Sequence, residues 1–173
     1  MGYTTEFDGQ FILNKKLDIE THQYLIKFNE SRRMKRDMTS HGAHYGVEGE
    51  FYVDGEGFAG QDHEDTVIDY NRPPSTQPGL WCQWRPNDSG TAIQWDGGEK
   101  FYHYEQWLKY IIVNFLAPKG YILNGEVQYR GEDQEDFGIL TVENNKVFVL
   151  RGKNKKLYDE PEEIHSPQGI VPV

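Results

Sequence analysis

Residues 100–116 contain the apolar pattern that most constrains the fold of this chain. Apolar side chains recur there at intervals of three and four residues, as on one buried face of an α-helix. The positions concerned are Tyr104, Leu108, Ile111, Ile112 and Phe115. Pro118 and Gly120 end the pattern. Because so wide an apolar face must be covered, we expect this helix to pack against a sheet at the centre of the core.

Other segments predict the sheet. Alternating apolar residues and turn residues predict strands at 10–14, 80–85, 91–96, 121–130, 137–143 and 146–150, with a short one at 51–53. A first helix is predicted from the N-cap Asp18 to about Arg36. The resulting order favours an α+β fold in which an antiparallel sheet carries two helices packed on one face. A ferredoxin-like topology fits this order best.

The length of 173 residues fits one domain. We assign 1–150 to a single α+β domain with a long, irregular insertion, rich in glycine and acids, at about 39–78. Residues 151–173 are predicted to be an extended or mobile C-terminal arm. The single cysteine, Cys82, excludes an internal disulfide, which favours a cytoplasmic location. No apolar run reaches transmembrane length, so we expect no membrane partner.

The charge disfavours nucleic acid as a partner. The chain has 28 acids and 18 Lys and Arg, a formal net charge of −10, so phosphate backbones are repelled on average. Aromatic residues nevertheless make up 14% of the chain, which is enough to build a core and argues against wholesale disorder.

Residues 32–36, with the sequence RRMKR, form a basic run in this acidic chain. Guanidinium groups bind phosphate or carboxylate through paired hydrogen bonds, so the run could hold an anionic ligand. The alternative is internal pairing with the acids between Glu48 and Asp69.

Strand alternation predicts a second candidate surface on the face that the helices leave open. If Cys82 and Trp84 point inward, the outward side chains are Trp81, Gln83, Arg85, Glu126, Gln128, Arg130 and Thr141. Such a face is either simply solvated or a recognition surface, since Trp and Arg dominate binding hot spots. The candidate residues for ligand or partner binding are therefore Arg32, Arg33, Arg36, Trp81, Arg85 and Arg130. We assign no catalytic residue, metal ligand or cofactor.

Three weaker motifs lie in the insertion. Residues 55–60 match G-x-G-x-x-G, but the acidic stretch that follows lacks the period of a helix, so the string does not indicate a dinucleotide site. Residues 62–65 together with Asp69 could hold a divalent cation or simply form an acidic surface loop. His41 and His44 could act as an acid and base pair.

The chain also resembles a family of small acidic proteins found in bacteria and their phages. The matching stretches are residues 1–5, 32–37, 77–84, 95–101 and 124–127. The family has no established activity, so the resemblance carries over no catalytic residue. It implies a counter-defence or host-takeover role, in which an acidic phage protein covers a basic surface of a host protein.

These sequence features leave three alternative functions to be tested. The first is a non-enzymatic binding protein that docks a host protein or sequesters a small ligand, an anionic one included. The second is a small nucleotide-processing hydrolase that uses His41, His44, Asp62 and Asp65, with Arg32 and Arg36 on the phosphate. The third is a nucleic-acid mimic, whose acids would have to form a patterned stripe.

Overall fold

A computed structural model describes residues 2–41, 43–53, 65–153, 156–157 and 160–165. The two α-helices are α1 (Ile19–Glu30) and α2 (Tyr104–Ile111). The strands are β1 (Glu6–Leu13), β2 (Lys35–Arg36), β3 (Val67–Asp69), β4 (Trp84–Pro86), β5 (Ala92–Trp95), β6 (Leu123–Arg130), β7 (Phe137–Glu143), β8 (Lys146–Lys153), β9 (Lys156–Leu157) and β10 (Glu162–Ile164). Short helical turns span Ala43–Tyr45, Ile112–Leu116 and Ala117–Lys119.

Within these residues, one large antiparallel sheet forms the body of the protein. Its strand order is β10-β8-β7-β6-β1-β5-β4, and β9 pairs with β8 as its eighth strand. Strands β2 and β3 form a separate pair. The α+β class with an antiparallel sheet and two helices is therefore confirmed. The sheet is wider than a four-stranded ferredoxin-like sheet, because β7, β8 and β10 extend it beyond β6.

One face of the sheet is buried and the other is open, as the alternation predicted. On β6, Val127 and Tyr129 are buried whereas Glu126, Gln128 and Arg130 are exposed. The inward residues of β7 and β8 are also buried: Leu140, Val142, Val147 and Val149. They belong to one core cluster that includes the buried side chains of both α-helices.

Trp84 lies at the centre of the aromatic part of this core. Its ring meets those of Phe7, Phe11 and Phe101 edge to face at centroid distances of 5.2–5.7 Å. Its indole Nε1 donates to the carbonyl oxygen of Tyr104 at 2.8 Å, which ties β4 to the start of α2. The neighbouring Cys82 is fully buried, and burial raises the pKa of its thiol to about 12.

Helix α1 begins where predicted but ends earlier. It was predicted to continue to about Arg36 and ends at Glu30. The chain becomes extended at Ser31, whose backbone N–H donates to the Phe28 carbonyl oxygen while its Oγ donates to that of Lys27. The prediction that this helix includes the basic run 32–36 is therefore wrong.

Asp18 caps the N-terminus of α1 and gives a pH-dependent prediction. Its Oδ1 accepts from the backbone N–H of Thr21 at 2.7 Å, and its Oδ2 accepts from the Tyr121 hydroxyl at 2.8 Å. These bonds, the backbone one first, lower the pKa of Asp18 from 3.8 to about 2. A depressed pKa means that the stabilisation is complete above the unfolded pKa and is lost as the pH falls through the folded one.

We therefore expect Asp18→Ala to be less stable than the wild type at pH 7, with the difference narrowing as the pH falls from about 4 to about 2. Urea unfolding across this pH range measures it. Asp88→Ala, in an exposed turn where no hydrogen bond to the carboxylate is found among the described residues, is the matched control. A gap between Asp18→Ala and wild type that stays constant down to pH 2 would contradict this prediction.

Helix α2 begins four residues later than predicted and changes form near its end. Lys100 and His103 have positive φ angles of 60° and 58°, so regular helix cannot start before Tyr104. From Ile112 to Leu116 the backbone forms a π-helical turn, followed by the 3₁₀ turn at Ala117–Lys119. A π turn inserts one extra residue into a helix and is frequent at functional sites.

The described part of the C-terminal arm pairs with the main sheet. Strand β8 extends to Lys153, past the predicted boundary at 150, and β9 and β10 both pair with it. Across the described residues, no helix combines the length and apolar character that crossing a membrane requires.

Candidate functional site

Arg33, the middle residue of the predicted binding cluster, is buried with 2% of its surface exposed. Its Nη1 donates to the carbonyl oxygen of Tyr52 at 2.7 Å, and its Nη2 to those of Gly49 and Glu50 at 3.2 and 2.9 Å. Its Nε donates to Gln77 Oε1 at 3.4 Å. Burial lowers the pKa of this guanidinium. Arg33 thus ties residues 49–52 to the core and leaves little hydrogen-bonding capacity for a ligand.

Arg32 and Arg36 each stack on a tyrosine. The guanidinium carbon of Arg32 lies 4.0 Å from the centre of the Tyr70 ring, and that of Arg36 lies 4.0 Å from the Tyr52 ring. Between them, Lys35 Nζ lies 3.5 Å from Glu48 Oε2. The alternative of internal pairing with nearby acids therefore describes Lys35, whereas Arg33 bonds chiefly to backbone carbonyl oxygens.

The other predicted binding residues lie apart from this cluster. Arg85 and Arg130 are on the open face of the sheet, on β4 and β6, separated by β5 and β1. Trp81 is half-buried just before β4. Gln83, predicted on the open face, is instead buried and bonds to the Glu99 carbonyl oxygen and the Trp95 indole. The structure therefore does not bring Arg32, Arg33, Arg36, Trp81, Arg85 and Arg130 into one site, and their binding role stays a prediction.

A cavity of about 560 Å³ lies between α1, the π turn and residues 44–53, and we call it the α1 pocket. Its lining is mainly apolar. The residues that line it are Glu20, Thr21, Tyr24, His44, Tyr45, Phe51, Val53, Asn114, Phe115 and Lys119. Ligand sites in proteins are typically cavities of roughly 300–1,000 Å³ with apolar walls and a few polar groups.

Aromatic rings form the walls of the α1 pocket. The Phe115 ring lies 5.2 Å from that of Tyr24 and 6.0 Å from that of Phe51, measured between centroids. The Tyr24 hydroxyl donates to the Phe51 carbonyl oxygen at 2.9 Å, which joins α1 to the opposite wall. Tyr45 packs against His44 and Tyr52 at centroid distances of 4.0 and 5.4 Å.

The π turn places a polar side chain in this wall. Asn114 is only 5% exposed, and its Nδ2 donates to the Tyr110 carbonyl oxygen at 3.0 Å. No donor to its Oδ1 is found among the described residues. The buried side-chain atoms without a hydrogen-bond partner among the described residues are Glu105 Oε2, Gln106 Oε1 and Trp107 Nε1, so Asn114 Oδ1 is accessible rather than sealed in the core. Asn114 therefore presents a hydrogen-bond acceptor to whatever enters the α1 pocket.

Charged groups lie at the exposed rim. Lys119 Nζ donates to Thr21 Oγ1 at 2.9 Å, and none of the ion pairs among the described residues includes Lys119. His44 and Glu20 are exposed on the same rim. The arrangement can bind a flat apolar body inside and a polar or charged group at the mouth.

Of the residues that line the α1 pocket, only His44 was a candidate functional residue in the sequence. The one sequence feature that could have indicated the pocket is Asn114, the polar residue that interrupts the apolar run of residues 110–116. The opposite wall of the pocket comes from residues 44–53, which are far from Asn114 in the chain and show no hydrophobic periodicity that would indicate a pocket.

A second concavity, of about 520 Å³, lies on the open face of the sheet. Glu6, Asp8 and Arg130 line it together with Phe137 and Ile139. Arg130 lies 5.6 Å from the centre of the Phe137 ring and is paired in register with Glu6. Of the residues predicted to point outward on the open face, Gln128 and Arg130 line this concavity.

The remaining motifs give no assembled site. Residues 55–60 and 62–64 lie outside the described residues. His41 Nδ1 lies 3.1 Å from Ser40 Oγ, and the His44 ring packs against Tyr45 at a tilt of 43°. In the parts of the chain that the structure describes, no three His, Cys, Asp or Glu side chains are grouped to hold a metal ion. Comparison with family models, curated proteins and solved structures found no match to the chain.

Proposed function

We propose that this protein is a non-enzymatic binding protein that captures a small organic ligand in the α1 pocket. One observation carries the proposal: aromatic side chains line one cavity together with Asn114, whose Oδ1 accepts from no described residue. A ligand with an N–H or O–H group would satisfy this oxygen and would at the same time cover the aromatic rings.

The polar groups at the rim support binding more than catalysis. A histidine that acts as a base is normally held by a hydrogen bond to one ring nitrogen. Among the described residues, no carboxylate or hydroxyl bonds to the ring of His44, which lies against the Tyr45 ring at a tilt of 43°. Sequestration of a ligand also fits the counter-defence role that the resemblance to phage proteins implies.

The open face of the sheet is a second candidate surface, for docking a host protein. The concavity around Arg130 combines apolar side chains with charges of both signs, as protein interfaces do. Arg85, Arg130 and the half-buried Trp81 remain the residues proposed for this contact.

We also propose a ferredoxin-like arrangement for the centre of the sheet. Its support is the order β6-β1-β5-β4 of the central antiparallel strands, with α1 between β1 and β4 in the chain and α2 between β5 and β6.

Binding of anilinonaphthalene sulfonate tests the pocket, because this dye has two aromatic groups, one negative charge and fluorescence that rises in apolar sites. We expect saturable binding of one dye molecule, weakened about tenfold in Tyr45→Ala, since one aromatic wall contributes about 1–3 kcal/mol of stacking. Fluorescence titration measures it.

Tyr70→Ala is the matched control for Tyr45→Ala. It removes the same side chain from the stack on Arg32, outside the α1 pocket, and should leave dye affinity unchanged. Absence of saturable binding, or equal affinity in Tyr45→Ala and wild type, would refute the proposed site.

A further inference from the structure

We propose that the α1 pocket selects a nucleotide, with the base between the aromatic walls and the phosphate at Lys119. This inference rests on the proposed function and names the class of ligand. Three features of the described residues carry it: the aromatic walls, the acceptor at Asn114 and the charged groups at the rim.

The walls suit a flat, aromatic group. Phe115 contacts both Tyr24 and Phe51, and Tyr45 lines the same cavity. Bases stack on aromatic side chains with little dependence on sequence, because every base has a π face. Stacking alone would accept any flat ring.

Asn114 favours rings with polar edges. One N–H of its Nδ2 donates to the Tyr110 carbonyl oxygen, which leaves the second N–H and the acceptor Oδ1 for a ligand. The bases carry N–H groups and acceptor atoms on their edges, and a purely hydrocarbon ring does not. A hydrocarbon ring in the pocket would cover the Asn114 amide without bonding to it, which disfavours such a ligand.

Lys119 supplies the charge for a phosphate. Its ammonium group has three donors, and one is used by Thr21 Oγ1. The charge of Lys119 contributes to the lowered pKa of Asp18, but no carboxylate of the described residues forms a direct ion pair with Lys119, so two donors remain at the mouth of the pocket. His44 lies on the same rim.

Glu20 limits the number of phosphate groups that the ligand can carry. Its carboxylate lies on the rim near Lys119 and would repel a long phosphate chain, whereas it can accept hydrogen bonds from sugar hydroxyls. The rim therefore fits a nucleoside monophosphate better than a triphosphate. It would also fit a zwitterionic aromatic amino acid, which the experiment must distinguish.

Calorimetric titration of the whole chain with the four ribonucleoside monophosphates, adenosine, inorganic phosphate and tryptophan tests this inference. We expect at least one monophosphate to bind, its nucleoside to bind about tenfold more weakly, and inorganic phosphate alone not to saturate. Higher salt should weaken the monophosphate more than the nucleoside.

Two variants assign the contacts. Lys119→Gln, at an exposed position, should weaken the monophosphate about tenfold and leave the nucleoside unchanged, whereas Lys146→Gln, an exposed lysine on β8, should change neither. Asn114→Leu should weaken the nucleotide and nucleoside equally. If Asn114→Leu does not fold, the comparison of Lys119→Gln with the wild type still tests whether Lys119 contacts the phosphate.

Displacement of the dye separates this inference from the proposed function. Dye binding that depends on Tyr45, with no displacement by any monophosphate, would overturn the nucleotide and leave the ligand pocket standing. Preference for tryptophan, or equal affinity of Lys119→Gln and wild type for the monophosphate, would also overturn it. Absence of Tyr45-dependent dye binding would remove both proposals.

Discussion

Replacing Arg33 by methionine is expected to lower the free energy of unfolding by about 2–4 kcal/mol, because buried carbonyl oxygens lose a donor. Methionine matches the length of the arginine stem and keeps the contact with the Phe28 ring, over which the guanidinium lies at 4.2 Å. The oxygen of Tyr52, which Arg33 holds at 2.7 Å, would lose its donor, whereas those of Gly49 and Glu50 would keep the Tyr52 backbone N–H and Gln77 Nε2. Urea denaturation measures the loss.

The local effect should be larger than the global one. Arg33 bonds to three carbonyl oxygens of residues 49–52, more than Tyr24 or Gln77 does, so hydrogen exchange of these residues should accelerate in Arg33→Met more than exchange in β6 or β7. The same segment carries Phe51, a wall of the α1 pocket. Dye affinity should therefore fall in Arg33→Met even where the fold is retained.

Arg32→Met is the matched control for Arg33→Met. Arg32 is half-exposed and stacks on Tyr70, so its replacement should cost less than about 1 kcal/mol. Equal losses for the two variants would mean that the basic run acts as a unit, and would contradict the structural role assigned to Arg33.

Replacing Trp84 by alanine is expected to cost about 3–5 kcal/mol, the range for removing a large aromatic side chain from a core. Trp84 is 2% exposed and packs against Phe7, Phe11 and Phe101. The variant also removes the bond from its indole to the Tyr104 carbonyl oxygen, which holds β4 against the start of α2. Thermal and urea unfolding both measure the loss.

Two further variants separate the contributions of ring packing and of the hydrogen bond to this loss of stability. Trp84→Phe keeps an aromatic ring and loses the hydrogen bond, so its cost should be about 1–2 kcal/mol. Trp81→Ala, at a half-buried position before β4, should cost less than Trp84→Ala. A larger loss for Trp81→Ala would show that the inward and outward assignments of these two tryptophans are reversed.

The sheet was predictable where alternation and turn residues coincide. The hairpin of β7 and β8 was predicted from residues 137–143 and 146–150, and Asn144 and Asn145 adopt the positive φ angles that such a turn needs. The outward assignment of Arg130 followed from the same alternation. These features are local, and the sequence encodes them within a few residues.

The helix ends were less predictable because contacts distant in sequence set them. Helix α1 stops at Glu30 although helix-forming residues follow, since the backbone N–H of Arg33 donates to the Leu80 carbonyl oxygen, 47 residues away. The role of Arg33 was missed for the same reason. Charge patterns indicate which carboxylates lie near an arginine, and they do not indicate backbone carbonyl oxygens.

The α1 pocket could not be derived from local pattern. Its acceptor is exposed to the cavity by a π turn, and α-helical periodicity does not predict where the extra residue of such a turn is inserted. Asn114 was visible only as an interruption of an apolar run. Its importance follows from the wall that residues 44–53 place opposite it.

The burial of Cys82 makes this chain convenient for site-directed labelling. Maleimides react with the thiolate, and a fully buried thiol with a pKa of about 12 supplies almost none at neutral pH. A cysteine introduced at His44, on the rim of the α1 pocket, would be the sole reactive thiol without any prior removal of Cys82. A fluorophore attached there would report occupancy of the pocket directly in the otherwise native protein.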